Sequence, residues 1–397
     1  MKAPDFVLDP MPGGALHAAL RRLREEGPVA KALFAGHPVF VTTDFETLLA
    51  GFLDPEALPP APFYQNTIAQ IIGPNFQSME GEQHRRYRKL ATPAFRSRAV
   101  DRFAESGLSD LAHEVLDRIA GEDRVDLVPR VTRVFPFLVI SRLLGVPRDG
   151  EADFHRWAWE MLGAPGTPRD VSLRAADEFT RYLAPTLEAR RREPTGDVVS
   201  ELLLSEVEGQ RLRDDEVMAH IRLMFSAGAT TTHDGLGSLI HTLLTQPAPN
   251  GGAGDSAWQS VVDDPGKRPG AIRELLRWEP PVANLPRISR DEPAKLADTW
   301  LPPGSMVLFS MSAANRDPAV YEDPDRYDLA RPDKDSLTFG RGERACPGMH
   351  LAKKSLEIAL DAFAERFPDM RLVGDPLASA PRRAVVRGPD QLTVALR

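Results

Sequence analysis

With one cysteine in 397 residues, the chain can close no disulfide within itself, which agrees with a reducing compartment. Positive charge is not in excess: 49 basic against 57 acidic residues give 49 − 57 = −8. A general nucleic-acid binder would carry the opposite sign. No uninterrupted apolar run approaches the ~20 residues that span a bilayer. The opening MKAPDFVLDPMPGG lacks the charged head and apolar core of a secretory signal. No internal repeat is visible. The expectation is a soluble, cytoplasmic protein that binds neither nucleic acid nor membrane. What remains, 42% hydrophobic and 27% charged, is ordinary for a globular chain.

Residues 16–26 follow a helical pattern that stops at Gly27-Pro28. Two β-like runs, 29–34 and 38–41, split by Ala35-Gly36-His37, read as a hairpin. From about 44 to 246 the text is mostly helical. The longest helix is expected over about 215–246, with Asp214 as N-cap and Pro247 beyond its end. PAPNGGAGDS, 247–256, is the clearest loop, and prolines are dense from 280 to 345. A last helix is expected over about 347–366, before short strand-like pieces. The fold class is mainly α with a minor β component, concentrated at about 28–42, and the chain reads as a single domain, 1–397.

The one thiol stands in FGRGERACPG, 339–348. Cys346 is expected at the N-cap of the last helix and Pro347 at its first position, where the missing N–H costs nothing. The N–H groups of Gly348 and Met349, with the helix dipole, then favour a thiolate. Gly340, Gly342 and Gly348 let a flat object approach the backbone. Phe339 can stack on it, and Arg341 or Arg344 can pair with its acidic groups. A thiolate, a flat partner and cations for carboxylates together point to heme held through sulfur, whose thiolate favours O–O cleavage. The plainer reading is a buried, inert cysteine. A cysteine nucleophile is a third reading, but no His/Asn partner is evident.

At every fixed position this stretch resembles the F-G-x-G-x-[HR]-x-C-x-G signature of the cytochrome P450 family. The resemblance implies heme b with Cys346 as axial ligand and a single-domain, helix-rich triangular-prism fold. It also implies a soluble bacterial-type monooxygenase, likened to others that insert one atom of O2 into an apolar small molecule. Electrons from NAD(P)H would arrive through a separate ferredoxin-type donor, and the protein would be monomeric. Heme contacts are implied for His84, Arg88, Arg287, Phe339, Gly340, Arg344, Gly348, Ala227 and Gly228. Taken alone, H-x-x-x-R at His84 and Arg88 reads as a solvated basic helix face. Glu274 and Arg277, an E-x-x-R pair that is weak by itself, would lock to Arg331, with Arg326 the lesser choice. These residues would hold the meander that delivers Cys346.

The middle of the long helix, SAGATTTHDG, breaks helix propensity: Gly alone costs ~1 kcal/mol relative to Ala, and threonines can bond back one turn and bend the helix. It reads as a packing notch whose close neighbour would be heme. The family pattern A-G-x-[DE]-T-T is met by Ala227, Gly228, Thr231 and Thr232, but Thr230 stands where the acid belongs. The resemblance keeps Thr231 for oxygen activation and leaves proton delivery to water, Thr230 or the substrate. Asp234 is offered as a substitute acid; the plainer alternative is that it pairs with a neighbouring element. Thr230 also keeps open a peroxide-driven peroxygenase or an atypical outcome such as C–C coupling or dehydration. A heme sensor or carrier without turnover is the more distant alternative.

The resemblance places pocket walls near 58–79, 161–172, 282–286 and 384–392. Phe63, Tyr64, Ile68, Ile71, Ile72, Leu162, Met224, Val282, Leu285 and Val386 would supply apolar surface. Asn66, Asn284 and Gln391 are candidate anchors. Such a pocket suits a terpenoid, steroid-like or polyketide ligand. Arg88, Lys89, Arg341 and Lys353 would form a basic patch for the ferredoxin.

Overall fold

A computed structural model describes residues 3–162, 167–207, 209–248 and 256–397. Most of the expected 247–256 loop, and residues 163–166 of the expected 161–172 wall, lie outside the described residues. The architecture is helix-rich, with one four-stranded sheet and three smaller ones among the described residues.

The central element is the helix Asp214–Thr245, 32 residues long and buried around most of its circumference. A helix apolar on all sides belongs inside a protein. Its first turn holds Asp214, Asp215 and Glu216, which complement the positive end of the helix dipole. The N-cap is Arg213 rather than Asp214; the Arg213 N–H donates to Glu216 Oε2 at 2.8 Å. The helices Phe135–Leu144 and Glu151–Met161 pack along it. At Gly228 an added Cβ would lie 3.0 Å from Ile140 Cδ1, so the notch in the sequence first serves this helix crossing.

The hairpin forms from Val29–Phe34 and His37–Thr42. Its second strand begins at His37, one residue earlier than the sequence suggested, because the turn needs only Ala35 and Gly36, both at positive φ. The sheet continues where prolines masked any strand signal. His37–Thr42 pairs parallel with Met306–Ser310, which pairs antiparallel with Asn284–Ile288. Strand alternation sends Leu285 and Arg287 to one face and Asn284 to the other.

The last helix is Met349–Arg366, with Gly348 as its N-cap. Cys346 therefore precedes the cap by two residues, and Pro347 lies outside the helix. The loop is closed by Cys346 N–H donating to the Phe339 carbonyl at 2.8 Å. No helix among the described residues is long and apolar enough to cross a membrane.

Candidate active site

One cavity, with about 1400 Å³ of empty space counting its opening to solvent, joins the long helix, the cysteine loop and the sheet edge. Met224, Ala227, Gly228, Thr231 and Gly235 recur at three- and four-residue spacing, so one helical face lines it. Cys346, Phe339, Gly340 and Gly348 come from the loop. His84, Arg88, Arg287 and Arg344 converge from three separate elements.

Gly340 and Gly342 both sit at φ +69°, a left-handed conformation that side chains rarely adopt. They are glycines for the shape of the loop, and Gly342 does not line the cavity. At Gly348 a Cβ would meet the sulfur at an ordinary 3.8 Å.

Protein surrounds Cys346, yet its sulfur opens onto the cavity. Burial pushes the thiol above its ordinary value; the N–H groups of Gly348 and Met349 and the Arg88 guanidinium oppose the rise. The helix-entrance donors favour the thiolate, as expected, but in the protein alone desolvation outweighs them. A metal cation at the sulfur inverts that balance, since a coordinating thiol loses its proton.

The opposite requirement is visible at the cationic wall. His84 is 1% exposed, and neither ring nitrogen has a partner. Burial, then Arg344, Arg88 and Arg85, push its pKa down to about 4, so it is neutral at pH 7 with one N–H to donate. Arg344 donates to the carbonyls of Phe76 at 3.2 Å and Met79 at 2.5 Å, and Arg88 to that of Ala345. Arg287 is 4% exposed and lies over the Phe309 ring. No carboxylate is among the described residues lining the cavity. Buried cations without counter-charge are costly, and an orphaned buried donor is costly too. This wall fits a ligand bearing carboxylates, as the two propionates of heme do.

Glu274 is 3% exposed and joins the meander to its helix. Its carboxylate accepts from Arg277 Nε at 2.8 Å and Nη2 at 2.7 Å, from Arg331 Nε at 3.0 Å and from Asp328 N–H at 3.1 Å. Of the two arginines weighed, Arg331 makes the bond; Arg326 contributes only its carbonyl, to Arg277 and Arg331.

Three successive threonines bond back one turn: Thr230 to Ser226, Thr231 to Ala227 and Thr232 to Gly228, at 2.8, 2.9 and 2.9 Å. Thr231 and Thr232 line the cavity, whereas Thr230 is buried away from it. Asp234 does not line it either; its carboxylate pairs with Arg383 at 2.6 Å, as the plainer alternative held.

Tyr64, Met224, Val282 and Leu285 line the cavity. Phe63, Ile68, Ile71, Ile72, Leu162, Asn284 and Val386 do not. Ile72 is wholly buried in the main core, with Ile68 and Ile71 packed on it. Asn284 is turned by strand alternation to donate to the Ala384 carbonyl, and Val386 pairs with Val282 from behind. Asn66 and Gln391 are exposed. Phe76 and Gln77 fall within the expected 58–79 wall, though not named there; sequence reasoning missed Leu223, Pro281 and Met311. Leu223 shares the helical face of Ala227 and could have been found by periodicity; the others carry no local signal.

A cavity onto which a cysteine sulfur opens, walled by three arginines and a neutral, unpartnered histidine, fits a protein that holds heme through cysteine. A family model described as cytochrome P450 matches residues 269–390. Cyclomarin C epoxidase CymV of Salinispora arenicola is 32% identical over 406 residues, covering 100% of this chain and 99% of the relative. The 6-deoxyerythronolide B hydroxylase of Saccharopolyspora erythraea is 30% identical over 390 residues, covering 94% of each. The solved structure of PksS, the bacillaene polyketide synthase cytochrome P450 of Bacillus subtilis 168, superimposes with a TM-score of 0.85 at 27% identity, covering 96% of each chain. The chain belongs to the cytochrome P450 family. It is a P450 monooxygenase that binds heme b through a cysteine thiolate.

Proposed function

We propose that Cys346 is the axial ligand and that the enzyme oxygenates an uncharged, apolar natural product of polyketide or macrolide class. The observation that carries the reading is the sulfur of the chain's only cysteine opening onto a cavity walled by His84, Arg88, Arg287 and Arg344. Heme, when bound, supplies the activation of O2. His84 and the three arginines would hold its propionates with charge-assisted hydrogen bonds. Gly348 and Met349 donate to the sulfur and moderate its basicity. Thr231 presents a hydroxyl to the cavity from the long helix. Leu223, Met224, Val282, Leu285 and Met311 keep water from the reacting carbon. Gln77 and the Tyr64 hydroxyl are the uncharged polar groups left to orient a substrate. Two relatives bear names that point the same way, a 6-deoxyerythronolide B hydroxylase and a polyketide synthase P450.

The test is optical. Purified heme-loaded protein is titrated with macrolactones, macrolides, terpenoids and fatty acids. A saturable shift of the main heme band with macrolactones, absent with fatty acids, is expected. A shift with fatty acids alone would overturn the class, because no free cation beyond the propionate set lines the cavity among the described residues.

A second reading is favoured by the absence of a carboxylate from the described lining: peroxide as the oxygen source, which needs no reduction. Peroxide-driven turnover exceeding that supported by ferredoxin, its reductase and NADPH would establish it.

For the electron donor we propose a ferredoxin docking on the cysteine-loop side. The patch is smaller than the sequence suggested. Arg88 is directed to Ala345, and Arg341 is paired with Asp335 at 2.9 Å. Lys89 and Lys353 remain exposed; Arg85, one turn before Lys89, is paired with Glu343 at 3.5 Å. Lys89→Glu with Lys353→Glu should raise the ferredoxin Kd about tenfold at low salt, at ~1 kcal/mol or less per exposed charge. The deficit should shrink as salt rises. An unchanged Kd and salt slope would move the docking site elsewhere.

A further inference from the structure

The cavity-lining face of the long helix carries Leu223 and Met224, and one turn earlier on that face stands His220, wholly buried and outside the cavity. Its Nδ1 lies 2.7 Å from the Glu216 carbonyl, which can only accept, so Nδ1 carries the hydrogen. Nε2 then keeps a lone pair, and it accepts from Phe76 N–H at 3.2 Å. The two partners fix one neutral tautomer from both sides. Phe76 opens the short turn 76–78, and Phe76 and Gln77 both line the cavity. The turn is closed within itself: Asn75 Oδ1 accepts from Gln77 N–H at 3.0 Å, and Ser78 Oγ accepts from Asn75 N–H at 3.2 Å. Arg344 holds its carbonyls from the cysteine-loop side, at Phe76 and Met79. His220 holds it from the long helix. The rings of Phe76 and Tyr87 pack on the imidazole, each with 5.8 Å between centroids.

We propose that His220 is a specificity-determining positioning residue: through Phe76 N–H it sets the 75–79 turn over the cavity, and protonation of its ring releases that turn. The consequence for ligands rests on the heme-enzyme reading of the cavity; the hold on the turn does not. An imidazolium carries a hydrogen on both nitrogens. Nε2–H would then face Phe76 N–H, donor against donor, while Arg344 keeps only the carbonyl side. Phe76 and Gln77 no longer meet a ligand in one fixed position. A large ligand that fills the cavity as far as these residues binds more weakly, because ordering the turn now costs part of its binding energy. A small ligand that does not reach them is indifferent. His220 touches neither, so it acts through Phe76.

Burial pushes the His220 pKa below its ordinary 6.5, and the bond to the Glu216 carbonyl and the Glu216 charge oppose. The ring is therefore neutral while the turn is closed and regains its ordinary basicity when the turn opens. A group with a depressed pKa in the closed form supports that form fully above about pH 6.5 and less as pH falls below it. Glu216, on the same helix, accepts from the Tyr87 hydroxyl at 2.6 Å and from Arg213 N–H at 2.8 Å. From the helix Gly81–Ala91, Tyr87 faces the imidazole, its hydroxyl pushed up by burial and by the bond to Glu216. Arg86 lies over the Tyr87 ring at 5.2 Å and Arg88 over the Phe76 ring at 6.0 Å. His84, whose ring is 6.4 Å from that of Phe76, is kept neutral down to about 4 by burial, Arg344 and Arg88. The turn 75–79 and the neighbouring helix 69–72 carry no charged residue.

Hydrogen exchange of the Phe76 amide, resolved to the residue and divided by its intrinsic rate, measures opening of the turn in heme-free and heme-loaded protein. Wild-type opening should rise toward about tenfold per pH unit below pH 6.5. His220→Phe keeps the ring stack and strands the N–H, so opening should increase roughly tenfold or more and lose its pH dependence. His220→Gln sets a carbonyl oxygen where Nε2 stood and does not titrate. It should restore most of the protection with a flat profile, which separates His220 from His84. Heme-loaded protein is then titrated with imidazole and with clotrimazole, a small and a bulky azole, by the shift of the main heme band. His220→Phe should raise the clotrimazole Kd about fivefold and leave the imidazole Kd within about twofold, with His220→Gln close to wild type. Unchanged Phe76 exchange in His220→Phe would overturn the proposal. Faster exchange with both azole constants unchanged would leave His220 a structural residue without a hold on specificity. A wild-type protein with no azole shift would instead overturn the heme reading, and the exchange result would stand apart from it.

Discussion

Cys346→Ser should leave a folded protein that has lost its chemistry. The substitution removes the one sulfur of the cavity and changes little else. The loop is shaped by Gly340 and Gly342 at positive φ and by the Cys346 N–H bond to Phe339, none of which depends on the side chain. The N–H groups of Gly348 and Met349 that face the sulfur donate to an oxygen as readily. A serine hydroxyl, however, does not ionise near neutral pH, and here burial already pushes even the more acidic thiol upward. The variant would present a neutral, weakly donating oxygen to a bound iron. The thiolate signature of the reduced, carbon-monoxide-bound protein should vanish. Ferredoxin-supported oxygenation should fall on the order of a thousandfold, the loss of about 4 kcal/mol of barrier lowering. Heme should still be retained in part, because His84, Arg88, Arg287 and Arg344 remain. The thermal midpoint of the heme-free protein should stay within a few degrees of wild type. Gly348→Ala is the contrasting control: its Cβ would meet the sulfur at 3.8 Å, so the signature should persist. Retention of the thiolate signature in Cys346→Ser would remove the assignment of the ligand.

What could be read from the sequence was what is local. The cysteine loop, the long helix and the hairpin are each written in consecutive residues: glycines where φ is positive, a polar break inside an apolar helix, alternation around a tight turn. Glu274 and Arg277 are a single turn apart, so their pairing was legible. The strands 284–288 and 306–310 were not, because each gains its partner from sequence-distant chain and prolines flank one of them. The same blindness misplaced Asn284: without the strand, nothing said that its side chain and that of Leu285 leave on opposite faces. Ile68, Ile71 and Ile72 looked like pocket wall by composition. Ile72 is instead buried beside the long helix, where Gly73 closes on Ala219 with 3.1 Å between an added Cβ and the Ala219 Cβ. The state of the Cys346 thiol was legible only in part. Helix-entrance donors can be seen in a sequence, but the desolvation that outweighs them is a property of the assembled cavity.

Glu274→Ala should destabilise the protein more than any other single change among these residues. The carboxylate takes four hydrogen bonds in a site with 3% exposure at both Glu274 and Arg277. Removing it strands the Arg277 guanidinium, which cannot reach water. Losing one partner of a buried pair costs about 3–5 kcal/mol, chiefly from the charge left behind. Arg277 keeps the carbonyls of Asn315 and Pro324 at 2.8 and 2.9 Å, so the loss should fall toward the lower end. Arg331→Ala should cost less, because its side chain is 12% exposed and Glu274 retains Arg277. The double variant Glu274→Ala/Arg277→Ala should cost less than the sum of the singles, since each single leaves a charge that the double removes. Urea unfolding of the heme-free protein measures all four. The effect should reach the heme as well. Asn315, whose carbonyl Arg277 holds, accepts from Leu337 N–H and donates to Thr338 Oγ1, both at 2.8 Å, and Phe339 follows directly with its carbonyl on the Cys346 N–H. Loosening Glu274 therefore loosens the strap that sets the sulfur. Glu274→Ala should speed heme loss and lower the heme-free midpoint together, whereas Cys346→Ser alters the heme signature with the heme-free midpoint nearly unchanged. A Glu274→Ala protein as stable as wild type without heme would show that the meander is held by its backbone bonds, with the buried triad contributing orientation alone.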